Sequence, residues 1–159
     1  QGELLVVPIQ MANLAAIIAN KGYYYTPHLI KGIDNTDSIP DKFRVKNYCI
    51  ADATHFEIVH EAMQLVVENG TAARARTKGI TVCGKTGTAQ NPHGEDHSCF
   101  IAFAPRENPQ IAISVYVENA GYGGTWAAPI ASLMIEKYLT GRVSNTYKEK
   151  RILEKDFIH

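Results

Sequence analysis

The sequence predicts an α+β fold with a short antiparallel sheet, on three observations. Apolar residues recur at strand period in three runs, 80–86, 99–104 and 111–117. Helix-type segments precede and follow them, so the order is helix, extended linker, helix, three strands, helix. The second and third runs are joined by Pro105-Arg106-Glu107-Asn108-Pro109, a connection short enough for an antiparallel hairpin. There is no internal repeat and no low-complexity stretch.

The first helix is expected over residues 8–18. Proline is pre-set for its first turn, its side chains are apolar almost all round, and Asn20-Lys21-Gly22 stops it. Such a helix is expected to be buried. Residues 23–30 read as extended chain broken at Pro27. Residues 31–46 read as a polar surface connector with turn signals at Asp34-Asn35, Asp37-Ser38 and Pro40-Asp41. Thr54-His55-Phe56-Glu57 has capping-box spacing, and the helix it opens puts Phe56, Val59, Met63 and Val66 on one face. Glu57, Glu61, Gln64 and Glu68 form its other face, and Asn69-Gly70 allows a left-handed cap. Residues 71–78 carry Arg74, Arg76 and Lys78, which read as a solvated turn.

After the three strands, Gly121-Tyr122-Gly123-Gly124 reads as a flexible turn into a last helix over 127–139. Pro129 stands in its first turn and Gly141 beyond its end. A phosphate loop is the competing reading, but the lysine and spacing it needs are absent. The charged tail, 142–159, is expected to be loosely held. Three strands and three helices are few for a sheet covered on both faces, so part of the apolar surface is expected to lie against chain absent here.

At 159 residues, 45% hydrophobic and 20% charged, the chain is long enough for one domain with a real core. Sixteen basic side chains balance sixteen acidic ones, which removes the electrostatic case for nucleic acid or an anionic membrane surface. The longest apolar stretch, 9–19, is interrupted by Gln10 and Asn13 and is too short to span a bilayer. A start at Gln1 without Met favours a piece of a longer, anchored protein over a free-standing cytosolic one. Cys49, Cys83 and Cys99 are too few and too widely spaced for a disulfide framework, and at least two are expected as buried thiols.

The candidate chemistry centres on Lys85-Thr86-Gly87-Thr88. Lys-Thr-Gly is one of three short signatures of serine enzymes that attack penicillin-like amides. The other two, Ser-x-x-Lys and Ser-x-Asn, occur nowhere in the chain, so a nucleophilic serine and its partners are not in it. On a strand, Thr86 and Thr88 point to the same face, while Gly84 and Gly87 leave the backbone uncovered. Such an edge can offer an ammonium, two hydroxyls and backbone N–H groups to an extended substrate carrying a carboxylate. It equally suits an ordinary edge strand whose polar residues blunt aggregation, and the residues alone leave both open.

The chain resembles the C-terminal part of the transpeptidase domain of class B penicillin-binding proteins, most closely those of the elongation type. The resemblance rests on Gln1-Gly2-Glu3-Leu4 through Met11-Ala12, Ala19-Asn20-Lys21-Gly22, Glu68-Asn69-Gly70-Thr71-Ala72 and Gly84 to Gln90. It continues with His97-Ser98-Cys99-Phe100-Ile101-Ala102-Phe103-Ala104-Pro105, Val117-Glu118-Asn119-Ala120-Gly121 and Ala127-Ala128-Pro129. It implies that residues 1–159 are the C-terminal portion of a single, incomplete penicillin-binding/serine β-lactamase-like transpeptidase fold.

The resemblance further implies a peptidoglycan D,D-transpeptidase acting in cell-wall cross-linking during elongation, with this chain inactive by itself. Lys85 would be the third-motif lysine. Thr86 and Thr88 would bind the terminal carboxylate of a D-Ala-D-Ala stem peptide or the acid group of a β-lactam. The Thr88 N–H would be half of an oxyanion hole, and Gly87 would keep the edge open. The partners implied are stem peptide, β-lactams, the missing N-terminal part of the domain, an elongation glycosyltransferase and cell-shape proteins. The place implied is the periplasmic face of the bacterial inner membrane, and no cofactor is implied.

A different class remains in view: a non-catalytic domain that binds cell-wall peptide or a partner through the same strand. His93, His97 and Cys99, with Glu95 and Asp96 between them, can be read as zinc ligands but lack the paired spacing of a structural site. The family resemblance reads the same loop as a hairpin connection. Cys99, where many relatives carry an aromatic residue, is read as local packing, because no base partner supports a thiol nucleophile. Trp126 and the tyrosines 23 to 25 are read as packing residues.

Overall fold

The computed structural model describes residues 4–32 and 39–156. Pro8 opens α1 (Pro8–Ala19), where Gln10 Oε1 accepts the otherwise unpaired N–H of Val7 at 2.9 Å. Lys21 and Gly22 close it with positive φ, and Gly22 N–H returns to Ile17 O at 2.9 Å. The helix is not buried all round. Ala15 and Ala19 are, but Ile9 is 53% and Leu14 41% exposed. It packs on the sheet through Ala19 and Ile18, while Ile9 and Leu14 face outward.

The expected connector hides a second sheet. β1 (Tyr23–Tyr25) pairs antiparallel with β2 (Lys46–Tyr48), and the Lys46 ammonium lies 4.0 Å from the centre of the Tyr23 ring. Three-residue strands are too short to carry a readable period. The turn signals at Asp34-Asn35 and Asp37-Ser38 lie outside the described residues, whereas Pro40-Asp41 leads into a 3₁₀ turn, Asp41–Phe43.

Helix α2 (Ala53–Glu68) is capped by Asp52, not by Thr54. The Asp52 carboxylate accepts Thr54 N–H at 2.8 Å and Thr54 Oγ1–H at 2.7 Å, which holds it below the usual carboxylate range. The buried stripe is Phe56, His60, Met63 and Val67, rotated from the expected Phe56, Val59, Met63 and Val66. His60 accounts for the rotation. Its Nε2 donates to Ile18 O at 2.7 Å and its ring packs tilted against Phe103, with centroids 4.7 Å apart, so a residue counted as polar is buried and satisfied. No left-handed cap follows: Asn69 has φ −133°, and Asn69 and Gly70 donate to Leu65 O and Val66 O.

β3 (Cys83–Ala89), β4 (His97–Ala104) and β5 (Ile111–Val117) form an antiparallel sheet in the order β3-β4-β5, with Gly87 opposite Cys99 and Cys99 opposite Tyr116. The β4–β5 hairpin is the one the short connection predicts. β3 starts three residues later than the apolar pattern implies, because Ile80 forms an isolated bridge with Thr77. Side chains alternate across the sheet and divide the core. Phe103 and Cys83 pack with Ala19 and Met63, on the side of α1 and α2. Phe100 and Ala102 pack with Ala127, Ala131 and Ile135 of α3 (Ala127–Thr140) on the other. Phe100, 1% exposed, contributes about 2–3 kcal/mol by burial.

The segment expected as a loose tail contains α4 (Thr146–Leu153), and Phe157 to His159 lie outside the described residues. The α4 side chain of Lys148 reaches back to the turn at 73–76.

All three cysteines are free, but only Cys83 is fully buried. Burial pushes the Cys83 thiol up to about 12. A group raised this far stays protonated at pH 8. We expect Cys83 to remain unmodified by iodoacetamide in the folded protein and to react once urea unfolds it, as mass mapping would read. Rapid labelling of Cys83 without urea would contradict the packing of β3 on α2.

Candidate active site

The site is built on β3. Among the described residues its one strand neighbour is β4, so its outer edge is unpaired. Lys85 and Gly87 are exposed on it, and Thr86 and Thr88 are half-buried. The four residues therefore share an edge, yet they do not share a face. Thr86, Gly87 and Thr88 line a groove of about 800 Å³, on the side that carries α3. Lys85 alternates to the Cys83 side and its ammonium donates to Thr86 O at 2.9 Å.

The opposite wall of the groove comes from two segments expected as turns. Thr71 and Arg74, from the segment after α2, face β3, and the Thr71 and Thr86 hydroxyl oxygens are 2.8 Å apart. Arg74 is thus part of the groove, while Arg76 turns away and donates Nε–H to Ala73 O. The second segment is the glycine loop, Tyr122 to Thr125. It is packed, not simply flexible. A Cβ on Gly123 would stand 2.2 Å from Cys99 O and 2.5 Å from Gly87 O, so the loop lies directly on the β3–β4 backbone. One on Gly124 would stand 2.2 Å from Thr71 O.

Ser98 fixes this loop from below. It is fully buried, donates Oγ–H to Tyr122 O at 3.0 Å and accepts the Ala127 N–H at 3.1 Å. Ala128 N–H is taken by Gly123 O and Ile130 N–H by Trp126 O. First-turn amides of α3 are therefore already engaged, which argues against the phosphate reading of the glycine loop.

The loop between β3 and β4 is held by polar side chains. Asp96 Oδ1 accepts Asn91 N–H at 3.1 Å, Asn91 Nδ2 donates to Asn119 Oδ1 at 2.8 Å, and His97 Nδ1 accepts Asn119 N–H at 3.1 Å. Among the described residues no group of three His, Cys, Asp or Glu side chains stands close enough to hold a metal. Cys99 is half-buried, its Sγ–H points to His97 O, and burial raises its pKa. A thiol so held is a poor nucleophile. On its face of the sheet a second, larger and mostly apolar cavity of about 1190 Å³ runs from Leu4 and Val7 to Ile101 and Tyr116.

The fold is similar to those of solved penicillin-binding transpeptidase domains. A Pseudomonas aeruginosa PBP2 in complex with WCK 5153 superposes with a TM-score of 0.77 and 34% identity, covering 92% of this chain and 33% of that one. Penicillin-binding protein A of M. tuberculosis, as an imipenem acyl-enzyme complex, gives 0.72 and 30%, covering 88% of this chain and 32% of that one. The penicillin binding protein transpeptidase domain family matches residues 1–136, and the chain belongs to that family. Among curated relatives, the peptidoglycan D,D-transpeptidase MrdA of Haemophilus influenzae is 33% identical across 93% of this chain. The peptidoglycan D,D-transpeptidase PbpA of Mycolicibacterium smegmatis is 32% identical across 85% of it. The chain spans 26% of the length of the first and 30% of the second.

Proposed function

We propose that this chain is the C-terminal portion of a peptidoglycan D,D-transpeptidase and supplies one wall of its acyl-transfer site. The observation that carries the reading is the unpaired β3 edge, with Thr86, Gly87 and Thr88 opening on a groove, in a member of the transpeptidase family. The reaction it serves is two displacements. A serine oxygen attacks the penultimate D-Ala carbonyl, the C–N bond breaks and D-Ala leaves with a proton. An amine of a neighbouring stem peptide then displaces the serine.

In this reading the hydroxyls of Thr86 and Thr88 hold the substrate carboxylate, and the Thr88 N–H stabilises the oxyanion. Lys85 supports the charge and hydrogen bonds around the serine from the neighbouring face of the strand. The serine and its lysine come from the N-terminal part of the domain, since Ser-x-x-Lys and Ser-x-Asn do not occur in this sequence. β-Lactams enter as mimics of the D-Ala-D-Ala terminus, which the imipenem acyl-enzyme complex of a solved relative supports.

The longer protein is assigned to cell-wall elongation at the periplasmic face of the inner membrane, beside a glycosyltransferase and cell-shape proteins, on the strength of its elongation-type resemblance. No helix among the described residues is long and apolar enough to cross a membrane, so the anchor in this reading lies in other sequence. Relatives named as transpeptidases favour turnover over the non-catalytic binding reading.

A labelled penicillin tests the proposal. It is expected to mark the longer protein covalently and to leave the 159-residue chain unmarked. Acylation of the isolated chain would place the nucleophile within it and overturn the division of labour.

A further inference from the structure

We propose that the groove beside β3 is a carboxylate subsite whose counter-charge is Arg74, with Lys148 of the C-terminal helix holding that arginine in place. The inference rests on the transpeptidase reading and adds to it a specificity residue that the Lys-Thr-Gly strand does not contain.

The groove is lined by four threonines, Thr71, Thr86, Thr88 and Thr125, by Arg74, and by no acidic side chain. Hydroxyls can donate to a carboxylate but do not neutralise it, and a carboxylate leaving water needs an opposite charge. Lys85 does not line this groove, since its ammonium is turned to Thr86 O. Arg74 is exposed and takes part in no salt bridge among the described residues. A guanidinium there offers two parallel N–H donors to one carboxylate, and the hydroxyls complete its lone pairs. The contact between the Thr71 and Thr86 hydroxyls couples the arginine-bearing segment directly to the strand.

An arginine on a turn selects well only if the turn is held. Lys148 Nζ donates to Arg74 O at 2.9 Å, Arg76 O at 3.3 Å and Ser132 Oγ at 2.9 Å, which uses all three ammonium protons. Asn145 caps α4 by accepting Lys148 N–H at 2.9 Å, so the lysine leaves the helix at its first turn, facing the 73–76 segment. Burial lowers its pKa, as expected for an ammonium inserted between α3 and that turn. Arg74 is thus the residue that reads the ligand, and Lys148 is a positioning residue.

The direct test is an NMR titration of the 159-residue chain with N-acetyl-D-alanyl-D-alanine, against the same dipeptide as its C-terminal amide. The acid is expected to shift the Arg74 Nε–H signal and the Thr71 and Thr86 amides, and the amide form is not. Arg74→Ala should abolish the shifts at Thr71 and Thr86, and Arg74→Lys should restore only part of them. Lys148→Met should broaden or move the Arg74 signal before any ligand is added. Equal shifts with acid and amide, or full shifts in Arg74→Ala, would overturn the subsite. A second measurement separates this inference from the transpeptidase reading. In the longer protein, the acylation rate for a β-lactam acid divided by that for its methyl ester should fall at least about tenfold in Arg74→Ala. An unchanged ratio in a protein that is acylated would sink Arg74 alone. Absence of acylation in the unsubstituted protein would sink the transpeptidase reading, while the titration would still decide the subsite.

Discussion

Lys85→Ala in the longer protein is expected to slow acylation by a labelled penicillin by roughly 10²–10⁴-fold with the fold intact. The argument starts from placement. Lys85 lies on the unpaired edge of β3, exposed, one residue before the threonine that opens the groove. Its ammonium donates to Thr86 O, so it carries a positive charge along the edge without entering the carboxylate subsite. A charge there is worth most in a transition state where negative charge develops on the attacked carbonyl. Removal costs little stability, because the side chain is exposed and buries no apolar partner. Stopped-flow acylation with circular dichroism as the fold control reads both halves. An unchanged rate would reduce Lys85 to a surface residue of the strand.

Gly123→Ala is expected to destabilise the chain by roughly 3 kcal/mol and to open the groove. The added methyl would meet backbone, not flexible side chains: Cys99 O at 2.2 Å and Gly87 O at 2.5 Å. Neither can move alone, since Gly87 and Cys99 are paired in the β3–β4 register. The loop must lift instead, which strains the Ser98 hydrogen bonds to Tyr122 O and Ala127 N–H. Urea denaturation would measure the loss. The dipeptide titration should weaken in parallel, because Gly123 and Gly124 form part of the groove wall. A stability within about 0.5 kcal/mol of the parent would mean that the loop does not rest on the strand.

The Lys-Thr-Gly-Thr edge was legible because strand alternation and the flanking glycines are local properties of seven residues. The β4–β5 hairpin was legible for the same reason, with Pro105 to Pro109 setting the connection. The stripe of α2 differs from the expected one at two of four positions, since His60 counts as polar until Ile18 O and Phe103 are brought beside it. The opposite wall of the groove was not legible at all. Thr71 lies fifteen residues before Thr86, and Lys148 lies 74 residues from the carbonyl of Arg74 it holds.

The order of residues alone therefore determined the class of fold, the strand that bears the candidate chemistry and the family to which the chain belongs. Each follows from side-chain period and short motifs, which are set by neighbours in the chain. Tertiary structure alone decided that Thr71 and Arg74 face β3 across a groove, that a glycine loop rests on the strand, and that a helix in the charged tail steadies an arginine at the groove. Those are meetings of segments far apart in sequence. They depend on how three layers pack and on which buried polar groups find partners, and no local pattern encodes either.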